Sequence, residues 1–121
     1  MDAFNKASLG TNIGFGAKFE GIPHFPHGLN GIIVSPYAHI GKDVRIFQQV
    51  TIGDDGRDKE NAPIIHDNVF LYAGCKVVGK CEIGEGAKIG ANAVVSFDVP
   101  LYAVVTAPKP QIHIKEEKEE N

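Results

Sequence analysis

The chain has 121 residues, of which 43% are apolar and 22% charged, with a formal net charge of −3. That length suits one domain. The slightly acidic balance offers no basic footprint for nucleic acid, and no apolar run approaches the ~20 residues of a membrane span.

Residues 1–12 carry no clear pattern and read as an N-terminal arm or partial coil. The opening Met1-Asp-Ala-Phe-Asn-Lys6 lacks a signal peptide's basic and apolar regions, so a cytoplasmic protein is expected. From Ile13 a six-residue period sets in, with Phe19 and Phe25 in its first place and Ala17, Pro23 and Leu29 in its fifth. Nine steps then separate Phe25 from Val34, so three extra residues enter around His27-Gly-Leu-Asn-Gly31. The period is clean from Val34 through Ile40 and Ile46 to Ile52, with Ala38, Val44 and Val50 in fifth place. It breaks again over 53–64, where seven extra residues bring charge, Gly and Asn. Such a stretch cannot pack inside and is expected to be a surface loop. The period resumes at Ile65, Leu71, Val77, Ile83, Ile89 and Val95, with Val69, Cys75, Cys81, Ala87, Ala93 and Val99 in fifth place. It is expected to end at Pro100, with residues 101–115 capping the open last coil and 116–121 a solvated charged tail.

A period of six fits neither a helix nor a plain strand. It fits a short strand and a corner, repeated. The first residue points inward and is β-branched, which suits a pleated surface. The fifth also points inward, where room is short. The fourth runs Asn68, Gly74, Lys80, Gly86, Asn92, Asp98 and sits near the corner, where positive φ favours Gly, Asn and Asp. Three units make a triangular coil, and coils stack about 4.8 Å apart through strand hydrogen bonds. Cys75 and Cys81 both hold fifth places and read as small core fillers rather than as nucleophiles or a disulfide.

The register resembles that of the hexapeptide-repeat acyltransferases, which implies an all-β, left-handed parallel β-helix with one protruding loop and a short cap. Within that superfamily, His27-Gly-Leu-Asn-Gly-Ile-Ile-Val34, Ile46-Phe-Gln-Gln-Val-Thr-Ile-Gly53 and Ala73-Gly-Cys-Lys-Val-Val-Gly79 resemble the serine acetyltransferase branch. The resemblance spans roughly residues 12–112. It implies His27 as the general base that takes a proton from a hydroxyl attacking the thioester of acetyl-CoA. Imidazole suits that task, since it titrates near neutrality. It also implies Asn12 at the place of the aspartate that pairs with the base. The coenzyme arm is expected along Gly53, Ala73 and Ala91, with Lys109 meeting a coenzyme phosphate. A homotrimer sharing its clefts between subunits follows from the same likeness; a thin prism also leaves flat faces that three-fold symmetry would bury.

The chain departs from that branch at several points. Asn12 carries no charge to stabilise imidazolium. The loop positions that help hold the amino-acid substrate are Asn61 and Ala62 here. His27 to Gly31 is four steps where the family has three, and the family's large N-terminal helical domain has no counterpart in these residues. The acceptor is thus expected to be a small hydroxyl compound, serine or a sugar, with no metal required. His24 competes with His27 as base; His39 and His66 read as surface residues, and His113 falls in the cap. A zinc lyase of γ-carbonic-anhydrase type needs three histidines on one metal, and the spacings 24, 27, 39, 66 and 113 do not show that pattern. A non-catalytic scaffold is the other alternative.

Overall fold

The computed structural model describes residues 10–116, and among them there is no helix. Short strands follow one another in chain order: β1 (Asn12–Ile13), β2 (Lys18–Phe19), β3 (Ile33–Val34), β4 (His39–Ile40), β5 (Arg45–Ile46), β6 (Thr51–Gly53), β7 (Ile64–Ile65) and β8 (Phe70–Leu71). The series goes on with β9 (Lys76–Val78), β10 (Glu82–Ile83), β11 (Lys88–Ile89), β12 (Val94–Val95) and β13 (Val104–Val105). All pairing is parallel, each strand lying on the one a full turn away. Three sheets result: sheet A is β1-β3-β6-β9-β12, sheet B is β2-β4-β7-β10, and sheet C is β5-β8-β11-β13. The path A, B, C, A is a triangular β-helix.

The expected first-place residues from Val34 to Val95 line the interior, none more than 2% exposed. Below them in each unit lie the fifth-place residues, with Ala38, Val44, Val50, Val69, Cys75 and Ala87 fully buried. β-Branched side chains thus stack on the flat of each sheet, and small ones fill the narrower space beside the corners. Fourth-place Asp43, Gln49, Asn68 and Asn92 take φ of 55–63°, and Gly74 and Gly86 take 71°. The edge between sheets A and B differs: there Gly79, not Lys80, carries the positive φ, at 87°.

Both insertions fall where the period predicted them. The three-residue insertion lies on the edge between sheets C and A; the loop, exposed over residues 55–60, leaves the edge between A and B. The end of the coil corrects the expected register. Val99 does not hold a fifth place: it bridges Ile83, sixteen residues back, and so stands as a first-place residue of sheet B. Two residues are missing from the turn after Val95. The period then continues past Pro100, because Val104 and Val105 pair with Lys88 and Ile89 as another rung of sheet C. Beyond β13 the described residues hold no further strand, and Ile112 and Ile114 stand 89% and 93% exposed. Residues 1–9 and 117–121, which hold most of the expected arm and charged tail, lie outside the described residues.

Candidate active site

The insertion between Phe25 and Val34 is a closed turn. Gly28 N donates to Phe25 O at 3.0 Å, and Asn30 Nδ2 donates to His27 O at 2.9 Å. Gly28 and Gly31 take φ of 74° and 63°, a region that only glycine enters at little cost. At Gly31 a Cβ would also meet the Gln49 amide at 2.6 Å, so a larger residue there requires that flexible side chain to shift. The turn leaves His27 exposed on the C–A edge, outside the packed register. Its ring centroid lies 5.6 Å from that of Phe47, and its side chain makes no hydrogen bond among the described residues.

Asn12 opens β1 on sheet A. Its main-chain N–H bonds Ile32 O at 2.8 Å, and its exposed amide makes no hydrogen bond to His27. The orienting contact expected from the resemblance is not made between these two residues. His24 is engaged differently: its Nε2 stands 3.3 Å from Asp43 Oδ1. His66 Nε2 is likewise 2.9 Å from Glu82 Oε1, and His39 and His113 are exposed. No three His, Cys, Asp or Glu among the described residues gather closely enough to hold a metal ion.

Ala73 and Ala91 fall in one column on the same edge as His27. Gly74 N bonds Gln48 O, and Asn92 N bonds Ala73 O, both at 3.0 Å, so Gln48, Ala73 and Ala91 follow one another coil by coil. The same bond one coil earlier, Gln49 N to Asn30 O at 2.8 Å, sets Asn30 over Gln48, and His27 stands in the insertion just before it. The column thus runs from Asn30, beside the His27 turn, past the Gln48 amide, to two methyl groups. Gln48 Oε1 is buried and has no hydrogen-bond partner among the described residues. Gly53 lies elsewhere, on the outer face of sheet A beside Val78. Lys109 is exposed in the segment after β13. In the loop, Asn61 Nδ2 donates to Asp55 Oδ2 at 2.8 Å, and Ala62 is buried in the core, so neither position offers a free polar group. Backbone N–H groups of Asp58 and Arg57, then the Asn61 amide, hold the Asp55 carboxyl below its ordinary range.

Sequence reasoning missed the outer face of sheet C. Phe47 and Tyr72 stand in second places and Phe70 in a sixth place, all pointing outward. Their ring centroids step from Phe47 to Tyr72 in 5.1 Å and from Tyr72 to Phe70 in 5.8 Å. Arg45 and Lys88 lie 4.6 and 5.1 Å from the Phe70 ring centroid. The available signal was the outward register itself, which puts residues 47 and 72 in one column. A separate concavity of about 370 Å³ lies on the outer face of sheet B, lined by Glu20, His39, His66 and Asp67 among others, and His27 is not part of it. No helix among the described residues is long and apolar enough to cross a membrane.

Residues 62–96 match the family model for the bacterial transferase hexapeptide, six repeats. The serine acetyltransferase of Bacillus subtilis (strain 168) is 41% identical over 80 residues, which are 65% of this chain and 36% of that protein. Among solved structures, serine acetyltransferase isoform 3 of Entamoeba histolytica, in complex with cysteine, superposes with a TM-score of 0.83 at 30% identity. It covers 97% of this chain and 41% of its own. A serine acetyltransferase in complex with CoA superposes with a TM-score of 0.66 at 40% identity, over 74% of this chain and 36% of that one. The chain thus spans less than half the length of the relatives it matches. The coil shares their left-handed parallel β-helix, against the right-handed preference of ordinary crossovers. The repeat, the two insertions and these matches agree: the chain belongs to the hexapeptide-repeat transferase superfamily, in its serine acetyltransferase-like branch.

Proposed function

We propose that this chain is the catalytic β-helix of an acetyl-CoA-dependent O-acetyltransferase with His27 as general base. One observation carries the reading. His27 is held outside the packing register by a glycine-bounded turn, with no carboxylate partner among the described residues, beside the head of a column that runs from Asn30 through Gln48 to Ala73 and Ala91. A coil needs no imidazole there for packing. The likeness to serine acetyltransferases, one of them solved with CoA, supports acetyl-CoA as donor and a hydroxyl as acceptor.

In the proposed step the acceptor hydroxyl gives its proton to an imidazole nitrogen of His27 as its oxygen attacks the thioester carbonyl. A main-chain N–H holds the oxyanion that develops. The C–S bond then breaks, the acetyl group stays on the acceptor oxygen, and the imidazolium returns the proton to the leaving thiolate. No acyl-enzyme forms. The thioester arm runs along Ala73 and Ala91, with Gly53 and Lys109 as outlying contacts and Asn12 as the residue facing the base when the cleft is assembled.

The same reading includes a homotrimer. Its support is that the His27 turn and the 53–64 loop leave different edges of the prism, so a cleft using both needs a neighbouring subunit. The same reading takes the protein to be cytoplasmic. The test is CoA release from acetyl-CoA against a panel of serine, other amino acids and sugars. Release that depends on an acceptor, and is lost in His27→Ala, is the expected result. No acceptor-dependent release from any member, in a protein that also fails to bind CoA, would leave the scaffold alternative standing.

A further inference from the structure

The proposed reaction leaves the outer face of sheet C unexplained. Three rings follow one another on it in tilted and stacked contacts, half-buried and outward, where the coil gains nothing from them in its core. The run begins at the base itself: His27 to Phe47 is 5.6 Å, Phe47 to Tyr72 5.1 Å and Tyr72 to Phe70 5.8 Å. One coil beyond Tyr72 the column holds Gly90, so the rings open onto a bare step. The Tyr72 hydroxyl has no hydrogen-bond partner among the described residues.

We infer that the acceptor is a neutral, polyhydroxylated ring, a pyranoside, laid against Phe47 and Tyr72 with one hydroxyl presented to His27. This rests on the acetyltransferase reading and deepens it. Aromatic faces carry partial negative charge, and the oxygen-polarised C–H bonds on one face of a pyranose are positive, so the two surfaces stack. The Tyr72 hydroxyl is then free to bond a ring substituent. A free amino acid offers no such face, and its two charges call for fixed counter-charges beside the base. The residues around His27 supply none: Pro26, Gly28, Leu29 and Asn30 flank it, and Phe47 covers its ring. The cations of this face, Arg45 and Lys88, lie over Phe70, at the far end of the ring run.

The experiment uses the whole chain and two readouts. CoA release is followed with methyl pyranosides and with serine, and saturation-transfer NMR detects pyranoside binding independently of turnover. Acceptor-dependent release with a pyranoside but not with serine is expected. Tyr72→Ala should then raise the pyranoside KM roughly tenfold, the scale of one aromatic contact, with a smaller fall in kcat. Tyr72→Phe should restore the stacking and most of the affinity. Transfer to serine with no pyranoside binding overturns this inference and leaves the acetyltransferase reading intact. Pyranoside binding without CoA binding or release removes the acetyltransferase reading instead, and with it the role given to the rings in transfer. Dissociation of the assembly by Tyr72→Ala, seen in sedimentation, assigns the rings to a contact between copies of this chain and also overturns the inference.

Discussion

His24 Nε2 stands 3.3 Å from Asp43 Oδ1, whereas the ring of His27, three residues on, meets Phe47 and no carboxylate among the described residues. Two histidines of one turn are thus sorted by their neighbours. One is tied across to the next coil; the other is left open to solvent and ligand.

His27→Ala should therefore lower acceptor-dependent CoA release by about 10²- to 10⁴-fold, the usual weight of a general base. His24→Ala should change it by much less. Neither side chain packs in the core, so both variants should melt close to the parent. Acid should quench the wild-type rate, because a protonated ring cannot take the hydroxyl proton. Full activity in His27→Ala would move the base to His24.

The separation of the two insertions gives a test of assembly. Sedimentation should show a homotrimer. A variant whose loop residues 54–60 are replaced by a short glycine link should be inactive, as should His27→Ala. Unfolded together and refolded as mixed trimers, the two should regain part of the wild-type rate, since some clefts then combine an intact loop with an intact His27. No recovery in demonstrably mixed trimers would place all the working groups in one subunit.

Burial pushes the Cys75 thiol up to about 12 and the Cys81 thiol to about 11, against an ordinary 9.0. Both are free and buried. Thiol reagents at pH 8 should label neither cysteine in the native protein and both after unfolding. The sign of the linkage is fixed as well. The unfolded thiols ionise near 9.0 and the folded ones at higher pH, so their contribution is complete below pH 9 and is lost as pH rises from there toward 11–12. Thermal melting should fall across that window, and less steeply in Cys75→Ser.

In the loop, Asp55 Oδ1 accepts the N–H groups of Arg57 at 2.8 Å and Asp58 at 3.0 Å, and Oδ2 accepts Asn61 Nδ2 at 2.8 Å. These bonds favour the ionised carboxylate and lower its pKa, so the ordering they give is present above the ordinary 3.8 and lost as pH falls below it. The amide resonances of Arg57 and Asp58 should move together below about pH 4. Asp55→Ala should speed tryptic cleavage after Arg57 and Lys59 at neutral pH while leaving the coil intact.

Gln48 Oε1 is a buried acceptor without a donor. Such a group costs about 1–3 kcal/mol, so Gln48→Met, of similar length, should leave stability unchanged or raise it by about that much. A loss of more than ~1 kcal/mol in denaturant unfolding would mean that the oxygen is bonded in solution.

The fold was legible because the inward places of a triangular coil tolerate few residue types. Ile40, Ile65 and Ile83 announce one column of sheet B whatever lies between them. The register slip at Val99 was hidden by the same chemistry: Val fits a first or a fifth place equally well, and the residues just after it, Pro100 and Leu101, raise no conflict. Asp98 looked like a corner residue and instead accepts the Glu82 N–H through its side chain at 2.8 Å. The rings on sheet C escaped notice for the opposite reason. Outward places obey no period, so Phe47 and Tyr72, twenty-five residues apart, look unrelated until the coils stack.

The three edges of the prism do not share variation equally. Between sheets B and C every link has the same length: Ile40 to Ile46, Ile65 to Leu71, Ile83 to Ile89 and Val99 to Val105 are each six steps. Between A and B the links run from four steps to thirteen. One corner is a fixed spine and another a seam at which length can be traded freely, because lengthening a surface loop adds little closure entropy. New segments, whether acquired by descent or grafted by hand, have a natural place of entry at that seam, with the spine keeping the coils in step while the seam is rewritten.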